Sequence, residues 1–300
     1  MKSIISYIGG YFYELDKRIL ALVSLLTGIL IFLNYYFDID RSIAHQQSFL
    51  FSWMARYIIF LIAFGLPYLL YMLIAKRDYF LSSTFRILLL IAPAIFSLKV
   101  ALDIPFHFSD DVIKNDYWNH VLYWPVLLCI ISLILFIVWK LVDKDQPFYG
   151  TTTKNMNWKP YWLMLLIMVP LIAAASTQPD FQAMYPKLNL ITGHSADVSW
   201  WQKLLFELSY GSDFIGIELF FRGFLILAFI KWAGKDTILP MACFYCTIHF
   251  GKPLGECISS YFGGLLLGIV VSNTRSIWGG LMVHLGIAWL MELGGYLGNL

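Results

Sequence analysis

Charged side chains are scarce in this chain, and their scarcity excludes most kinds of soluble protein. Asp, Glu, Lys and Arg make up 13% of the 300 residues and hydrophobic residues make up 59%, whereas a soluble domain carries about 25% charged residues. The mean hydropathy of +0.70 points the same way. The net charge of +2 is too small to indicate nucleic-acid binding. We therefore expect a membrane protein that is embedded in the lipid bilayer over nearly its whole length.

Cysteines, cleavage signals and internal repeats are also few or missing, and each shortage excludes a class of protein. The four cysteines lie in or beside apolar runs, which favours packing roles over a disulfide framework. No small-residue cleavage site precedes the first long apolar run, so we interpret that run as a retained signal anchor. The sequence shows no internal repeat, which argues against the transporters that are built from repeats.

Apolar runs are what the chain has in abundance. A transmembrane helix needs about 20 apolar residues, or somewhat fewer in a tightly packed bundle. The sequence therefore predicts an all-α, polytopic bundle of about eight or nine transmembrane helices. The nine candidate spans are Ile19–Tyr36, Tyr57–Ala75, Ile87–Ala101, Val121–Val142, Tyr161–Ser176, Asp213–Ile230, Ile238–Phe250, Leu254–Val271 and Ile277–Leu297.

The connections between these runs predict an orientation and a division of the chain. Lys and Arg are more frequent in the connections that face the cytoplasm when the N-terminus is placed inside, which favours an N-in orientation. Two connections are long, an acidic one at Asp103–His120 and a second at Thr177–Trp200. The segment Ser199–Leu208 carries paired tryptophans and predicts a separate interfacial helix. We expect transmembrane helices and their connections over residues 1–198, and a core that holds the chemistry over residues 199–300.

The run Asp213–Ile230 is interrupted by two charges, Glu218 and Arg222. Charges in hydrocarbon cost several kcal/mol, so they normally face a bundle interior or a wet cavity and mark a functional site. Their spacing of four residues places both side chains on one face of a helix. The alternative is a buried ion pair that only fixes helix packing. We favour a functional pair.

Two histidines and two acids in the later apolar runs complete the candidate set. His249 lies near the end of a span, where a lone histidine is often only a hydrogen-bonding residue, whereas His284 lies in mid-span. With Glu218 they are the parts of a hydrolytic or metal site. The histidines could also be axial ligands of a haem. Glu256 follows His249 closely, and Glu292 lies two helical turns beyond His284.

The order of these residues resembles a known family. Glu-x-x-x-Arg-Gly is followed by aromatic-x-x-x-His, by a Gly-rich apolar span and by Trp-Gly-Gly-x-x-x-His, between Ser212 and Glu292. This pattern resembles the CPBP family of CAAX-processing and bacteriocin-processing intramembrane endopeptidases, also called type II CAAX prenyl proteases or the ABI family. Over the first 200 residues only the hydropathy is similar.

The resemblance assigns each polar residue to a position of the family's motifs. Glu218 and Arg222 fall on the second Glu and the Arg of Glu-Glu-x-x-x-Arg. Tyr245 and His249 fall on Phe-x-x-x-His, and His284 falls on the histidine of His-x-x-x-Asn/Asp.

Two positions depart from the family's pattern. Ile217 stands where the family has the glutamate that is usually taken as the base, and Ala288 stands where it has an Asn or Asp that helps to hold the oxyanion. Either Glu218, with Glu256 or Glu292, acts as the base here, or the scaffold is kept without the chemistry.

The mechanism that the resemblance implies can be written with the residues that survive. Glu218 with His249 would activate a water molecule for attack on a peptide carbonyl, His284 would stabilise the oxyanion, and Arg222 would hold Glu218 in place. We expect a site without cofactor or metal, with Zn held by Glu218, His249 and His284 as the alternative.

The resemblance implies an endopeptidase that acts on membrane-associated proteins or peptides, in a bacterial inner membrane, with no nucleic-acid partner. The alternative is a catalytically inactive membrane protein of the same family that binds a peptide or protein partner. The departures at Ile217 and Ala288 support that alternative.

Overall fold

A computed structural model describes residues 4–46, 48–153, 158–193 and 198–299. Within these ranges the chain is helical and contains no β-strand, which confirms the all-α class. The α-helices are α1 (Ile4–Glu14), α2 (Lys17–Phe37), α3 (Ile39–Ala44), α4 (Phe49–Ile74), α5 (Ser83–Ala101), α6 (Val112–Val142), α7 (Lys159–Ala175), α8 (Pro179–Met184), α9 (Asn189–Thr192), α10 (Trp200–Glu218), α11 (Ile230–Ala233), α12 (Ile238–Thr247), α13 (Leu254–Thr274) and α14 (Trp278–Gly298). A π-helix, Leu219–Ala228, follows α10 directly, and 3₁₀ turns lie at Tyr79–Leu81, Phe148–Gly150 and Gly234–Thr237.

Polar residues begin several of the long apolar helices. Asp16, Ser48 and Asp111 precede α2, α4 and α6, and each side chain accepts a hydrogen bond from a backbone N–H of the first turn. Such caps satisfy N–H groups that have no partner within the helix. Four prolines lie inside helices, where neighbouring helices can satisfy the freed carbonyls: Pro67, Pro93, Pro125 and Pro170.

Six of the described helices are long and apolar enough to cross a membrane, namely α2, α4, α5, α6, α13 and α14. The other three predicted spans also contain helices, but these differ in length or position. Helix α7 has 17 residues, and α12 has only ten, all of them buried. The predicted span Asp213–Ile230 covers the end of α10 and the wholly buried π-helix. Apolar composition alone does not distinguish a helix that faces lipid from one that is enclosed by other helices.

The segment Ser199–Leu208, which is predicted to be an interfacial helix, leads directly into the helix that carries Glu218. Helix α10 begins at Trp200 with a capping box between Ser199 and Gln202, and it continues without a break to Glu218. No proline interrupts it, so the expected boundary before the span has no local cause. Of the long connection before it, residues 194–197 lie outside the described part of the chain.

Helix α12 packs against α2, α4, α13 and the π-helix. The largest hydrophobic cluster joins side chains from both predicted parts of the chain, among them Phe64, Phe85, Phe229 and Phe244. Residues 1–198 and residues 199–300 thus share one core, and their division stays a prediction about the sequence. The consequence for the site is that α12 is held from several sides.

Candidate active site

Glu218 and Arg222 lie at the junction between α10 and the π-helix, and neither side chain is exposed. The Glu218 Oε1 atom lies 3.1 Å from Arg222 Nη1, which is an ion-pair distance without hydrogen-bond geometry. The guanidinium also lies over the Tyr245 ring, with its carbon 4.0 Å from the ring centroid. π-Helices are rare and occur frequently at functional sites. The predicted pair is therefore present, in the least exposed part of the bundle.

His284 connects this pair to Tyr245. Its Nδ1 atom lies 2.9 Å from Glu218 Oε1, and its Nε2 atom lies 3.0 Å from the Tyr245 hydroxyl. We call the set Glu218, Arg222, His284 and Tyr245 the polar chain. Its members come from α10, the π-helix, α14 and α12, so four elements must pack correctly to form it.

His249 lies beside the polar chain but does not contact Glu218. Its Nδ1 atom lies 3.0 Å from the backbone oxygen of Tyr245, and its ring meets the Tyr245 ring edge-on at 4.8 Å between centroids. Among the residues that the structure describes, it forms no hydrogen bond with Glu218. The predicted Glu218–His249 partnership is therefore indirect, through Tyr245 and His284.

One oxygen of Glu218 has no protein partner. Glu218 Oε2 is buried and forms no hydrogen bond within the described residues. A Cβ atom at Gly280 would lie 2.7 Å from it, so only glycine lets α14 come this close to the carboxylate. A buried carboxylate oxygen can accept a proton or a hydrogen bond from water, which is what a general base requires.

The two secondary acids lie in a separate group of polar residues. Glu256 accepts hydrogen bonds from Tyr185 and Lys252, at 3.1 Å and 3.2 Å. Glu292 accepts hydrogen bonds from the backbone N–H groups of Lys187 and Leu188, at 2.8 Å and 3.2 Å. Both acids therefore hold the connection that carries α8 and α9, and neither contacts Glu218.

Lys187 belongs to this second group. Burial and the nearby charge of Lys252 lower the pKa of Lys187 to about 8, although Glu256 and Glu292 oppose that shift. Its Nζ atom contacts the sulfur of Met184.

Comparison with protein-family models gave a match to this part of the chain. Residues 200–290 match the model described as type II CAAX prenyl endopeptidase Rce1-like. Over these residues the chain is similar to the Rce1-like family. The predicted resemblance to CAAX-processing endopeptidases is confirmed. Searches of curated proteins and of solved structures gave no match.

The Rce1-like match and the six long apolar helices together indicate an integral membrane protein associated with the lipid bilayer. The match also supports a CAAX-type intramembrane protease kind of function. It covers α10 to α14, so it includes all four residues of the polar chain.

The two departures from the expected Rce1-like pattern lie together in the structure. Ala288 is a buried member of a hydrophobic cluster with Tyr210, Phe214 and Leu281, and Ile217 packs against the same cluster. We call this set the apolar cluster. The two positions that depart from the expected pattern thus belong to one apolar surface between α10 and α14.

The proposed zinc ligands do not converge in the structure. Glu218 and His284 are hydrogen-bonded to each other, and His249 Nδ1 is used by a backbone oxygen. No three His, Cys, Asp or Glu residues in the described ranges are arranged to hold a metal ion. The haem alternative meets a related difficulty, because the Tyr245 ring contacts both imidazole rings.

Two residues, Phe214 and Gly280, were not assigned to the site by the sequence analysis. The Phe214 ring meets the His284 imidazole edge-on at 4.7 Å between centroids, and Gly280 makes room for Glu218. Each lies four residues before a member of the polar chain in the sequence, Phe214 before Glu218 and Gly280 before His284. Helical spacing could have identified both, because residues four apart share a helix face.

Proposed function

We propose that this protein is an intramembrane endopeptidase that hydrolyses peptide bonds of membrane-associated proteins or peptides, with Glu218 as the general base. One observation carries the proposal. The buried Glu218 carboxylate has one oxygen held by Arg222 and His284 and a second oxygen without a protein partner. That arrangement orients the carboxylate and leaves its Oε2 atom available to accept a proton.

The hydrolysis follows from these contacts. Glu218 Oε2 takes a proton from water as the water oxygen attacks the carbonyl carbon, and the Arg222 charge compensates the carboxylate before attack. The tetrahedral intermediate then collapses: its C–N bond breaks, a carboxyl group forms, and protonated Glu218 returns the proton to the leaving amine nitrogen. The surrounding side chains keep bulk water out, so electrostatic interactions are stronger here than in water. His249 supplies a second acid–base group, since only its Nδ1 is used by the protein.

No step of this proposal passes through a metal ion. Of the three candidate ligands, His284 has both ring nitrogens in hydrogen bonds to Glu218 and Tyr245, and His249 forms no contact with Glu218 among the described residues. We therefore expect cleavage to persist after treatment with a strong chelator. Loss of cleavage with the chelator, followed by recovery on addition of Zn²⁺, would contradict a metal-free mechanism.

We propose that the N-terminus lies in the cytoplasm, and that the membrane is a bacterial inner membrane, as the resemblance implies; the orientation has support from the sequence. The support is the excess of Lys and Arg in the connections that this orientation puts inside. Reporter fusions after α2 and after α14 test the orientation, because an enzyme that is active only outside the cytoplasm then reports the side of each fusion point.

The test of the activity uses the full chain reconstituted in lipid vesicles with a library of membrane-associated peptides. Wild type is compared with Glu218→Gln and His249→Ala, and with Glu14→Gln as the matched surface control. We expect Glu218→Gln to lower cleavage by about 10²–10⁴-fold, and Glu14→Gln to leave it unchanged. Cleavage that survives Glu218→Gln would exclude Glu218 as the base.

A second candidate function is supported by the apolar cluster. With Ile217 and Ala288 in place of polar groups, the same scaffold could bind a peptide or protein partner without cleaving it. Under this alternative, folded wild-type protein retains a peptide from the library but releases no product. The same vesicle experiment, read for bound peptide as well as for product, separates the two functions.

A further inference from the structure

Both ring nitrogens of His284 are used inside the protein. Nδ1 faces Glu218 Oε1 at 2.9 Å, and Nε2 faces the Tyr245 hydroxyl at 3.0 Å. A residue that stabilises an oxyanion must present a free donor to the reacting oxygen. In this arrangement His284 has none, so the role that the resemblance implies for it does not fit its contacts.

The contacts of His284 select one tautomer. An ionised carboxylate is only an acceptor, so the contact with Glu218 requires the proton on Nδ1. In the neutral ring, Nε2 then accepts, and the Tyr245 hydroxyl donates to it. The result is a directed series of hydrogen bonds from Tyr245 through His284 to Glu218, in which the histidine orients the base.

The Tyr245 hydroxyl is held in place by its ring. The ring is nearly buried, meets the Phe221 ring edge-on at 5.1 Å, and has the Arg222 guanidinium over one face. A Cβ atom at Gly264 would lie 3.1 Å from the ring, so α13 also packs closely against it. These contacts hold the ring in place without the hydroxyl. The hydroxyl is therefore not needed for packing, and its contact is with His284.

We propose that Tyr245 is a positioning residue whose hydroxyl holds His284 in the Nδ1-protonated form. In this form His284 orients the Glu218 carboxylate towards the attacking water molecule. The hydroxyl comes from α12, whereas His284 lies on α14, so it supplies a hydrogen bond to the histidine from another helix. Its effect on cleavage depends on the proposed protease function, whereas the tautomer does not.

The tautomer is tested directly by nuclear magnetic resonance on protein labelled with nitrogen-15 in its histidine rings. The His284 signals are assigned by their loss in His284→Gln. We expect wild type to show His284 with Nδ1 protonated and Nε2 unprotonated. A proton on Nε2 with Nδ1 unprotonated would overturn the proposal, whether or not the protein cleaves peptides.

The Tyr245→Phe variant tests the cause. It keeps the ring beneath Arg222 and should fold, with an unchanged thermal unfolding midpoint as the check. We expect its His284 Nε2 signal to shift and kcat to fall by about 10²-fold with KM little changed, because the base is no longer aligned. If the variant does not fold, 3-fluorotyrosine at position 245 keeps the ring and changes only the acidity of its hydroxyl, and unchanged His284 Nε2 signals in that protein would overturn the positioning role.

The control is Tyr261→Phe, which removes another tyrosine hydroxyl, the one on α13 that faces Ser24 Oγ of α2 at 3.1 Å. We expect it to leave kcat and the His284 signals unchanged. Equal losses of kcat in both tyrosine variants, or unchanged His284 signals in Tyr245→Phe, would overturn the positioning role. An inactive wild type with the expected tautomer would count against the protease function and leave the positioning role standing.

Discussion

Residues 217 and 218 are neighbours in the sequence but belong to opposite kinds of environment. Glu218 belongs to the polar chain, where an arginine and a histidine hold one of its oxygens. Ile217 packs against the apolar cluster, which contains Ala288 from α14. Successive residues on an α-helix point about 100° apart, so one helix can serve both environments.

The difference shows how closely the two environments adjoin. Ile217 and Ala288, the two positions that depart from the expected pattern, meet in the apolar cluster. On the neighbouring face, His284 connects Glu218 to Tyr245. One face of α10 therefore contributes to packing, while the adjacent face carries the polar chain.

The largest expected effect on stability comes from removing the Arg222 charge from the polar chain. Arg222→Met leaves the Glu218 carboxylate buried without a compensating charge, which costs about 3–5 kcal/mol of unfolding free energy. The double variant Glu218→Gln with Arg222→Met removes both charges and should recover most of that loss. Chemical denaturation in detergent measures both. Equal losses in the single and double variants would show that the charges are not coupled.

The next effect comes from placing a charge in the apolar cluster. Ile217→Glu alone puts a carboxylate among Phe214, Leu281 and Ala288, and we expect it to lower the unfolding free energy by about 3 kcal/mol. Ile217→Val is the volume control, with an expected cost of about 0.5–1.5 kcal/mol.

Adding Ala288→Asn to Ile217→Glu should couple to it by about 0.5–3 kcal/mol, because both positions lie in one cluster. The same double variant should cleave peptides better than Ile217→Glu alone. Strict additivity of the two changes would contradict a shared cluster.

A smaller effect on stability is expected from substituting Gly280, the glycine that lies against Glu218. Gly280→Ala brings a Cβ atom within 2.7 Å of Glu218 Oε2, and such overpacking costs about 1–3 kcal/mol. Gly263→Ala is the matched control, since nothing lies within 4 Å of its Cβ position. The control should be neutral or stabilise the helix by about 0.5–1 kcal/mol. Equal stability of the two variants would mean that α14 does not approach Glu218 closely.

The smallest effect is expected outside both environments. Glu256→Gln removes an ion pair with Lys252 in which the two side chains are 17% and 28% exposed, and such pairs contribute less than about 1 kcal/mol. Cleavage should change little, because Glu256 does not contact the polar chain. A loss of cleavage as large as that of Glu218→Gln would indicate that Glu256 is the general base.

Much of this arrangement was predictable from sequence because it is local. The helices follow from long apolar runs, and the Glu218–Arg222 pair follows from a spacing of four residues. His284 was identifiable because a histidine in mid-span is unusual. The match to the Rce1-like family over residues 200–290 agrees with the order of these motifs.

The rest depends on contacts between distant segments. Sequence spacing could not show that His284 lies between Glu218 and Tyr245, because three helices meet there. It could not show that Ile217 and Ala288 share a cluster, since 70 residues separate them in the chain. The π-helix was missed because its apolar residues resemble those of any buried helix.

The central claim is that Glu218, oriented by the polar chain, activates water to hydrolyse a peptide bond. The most direct measurement is cleavage in water enriched in oxygen-18, with the products analysed by mass spectrometry. We expect wild type to place one oxygen-18 atom in each new carboxyl group, and Glu218→Gln to give no labelled product. Equal labelling by Glu218→Gln, or no labelled product from folded wild type with a peptide that it binds, would contradict the claim.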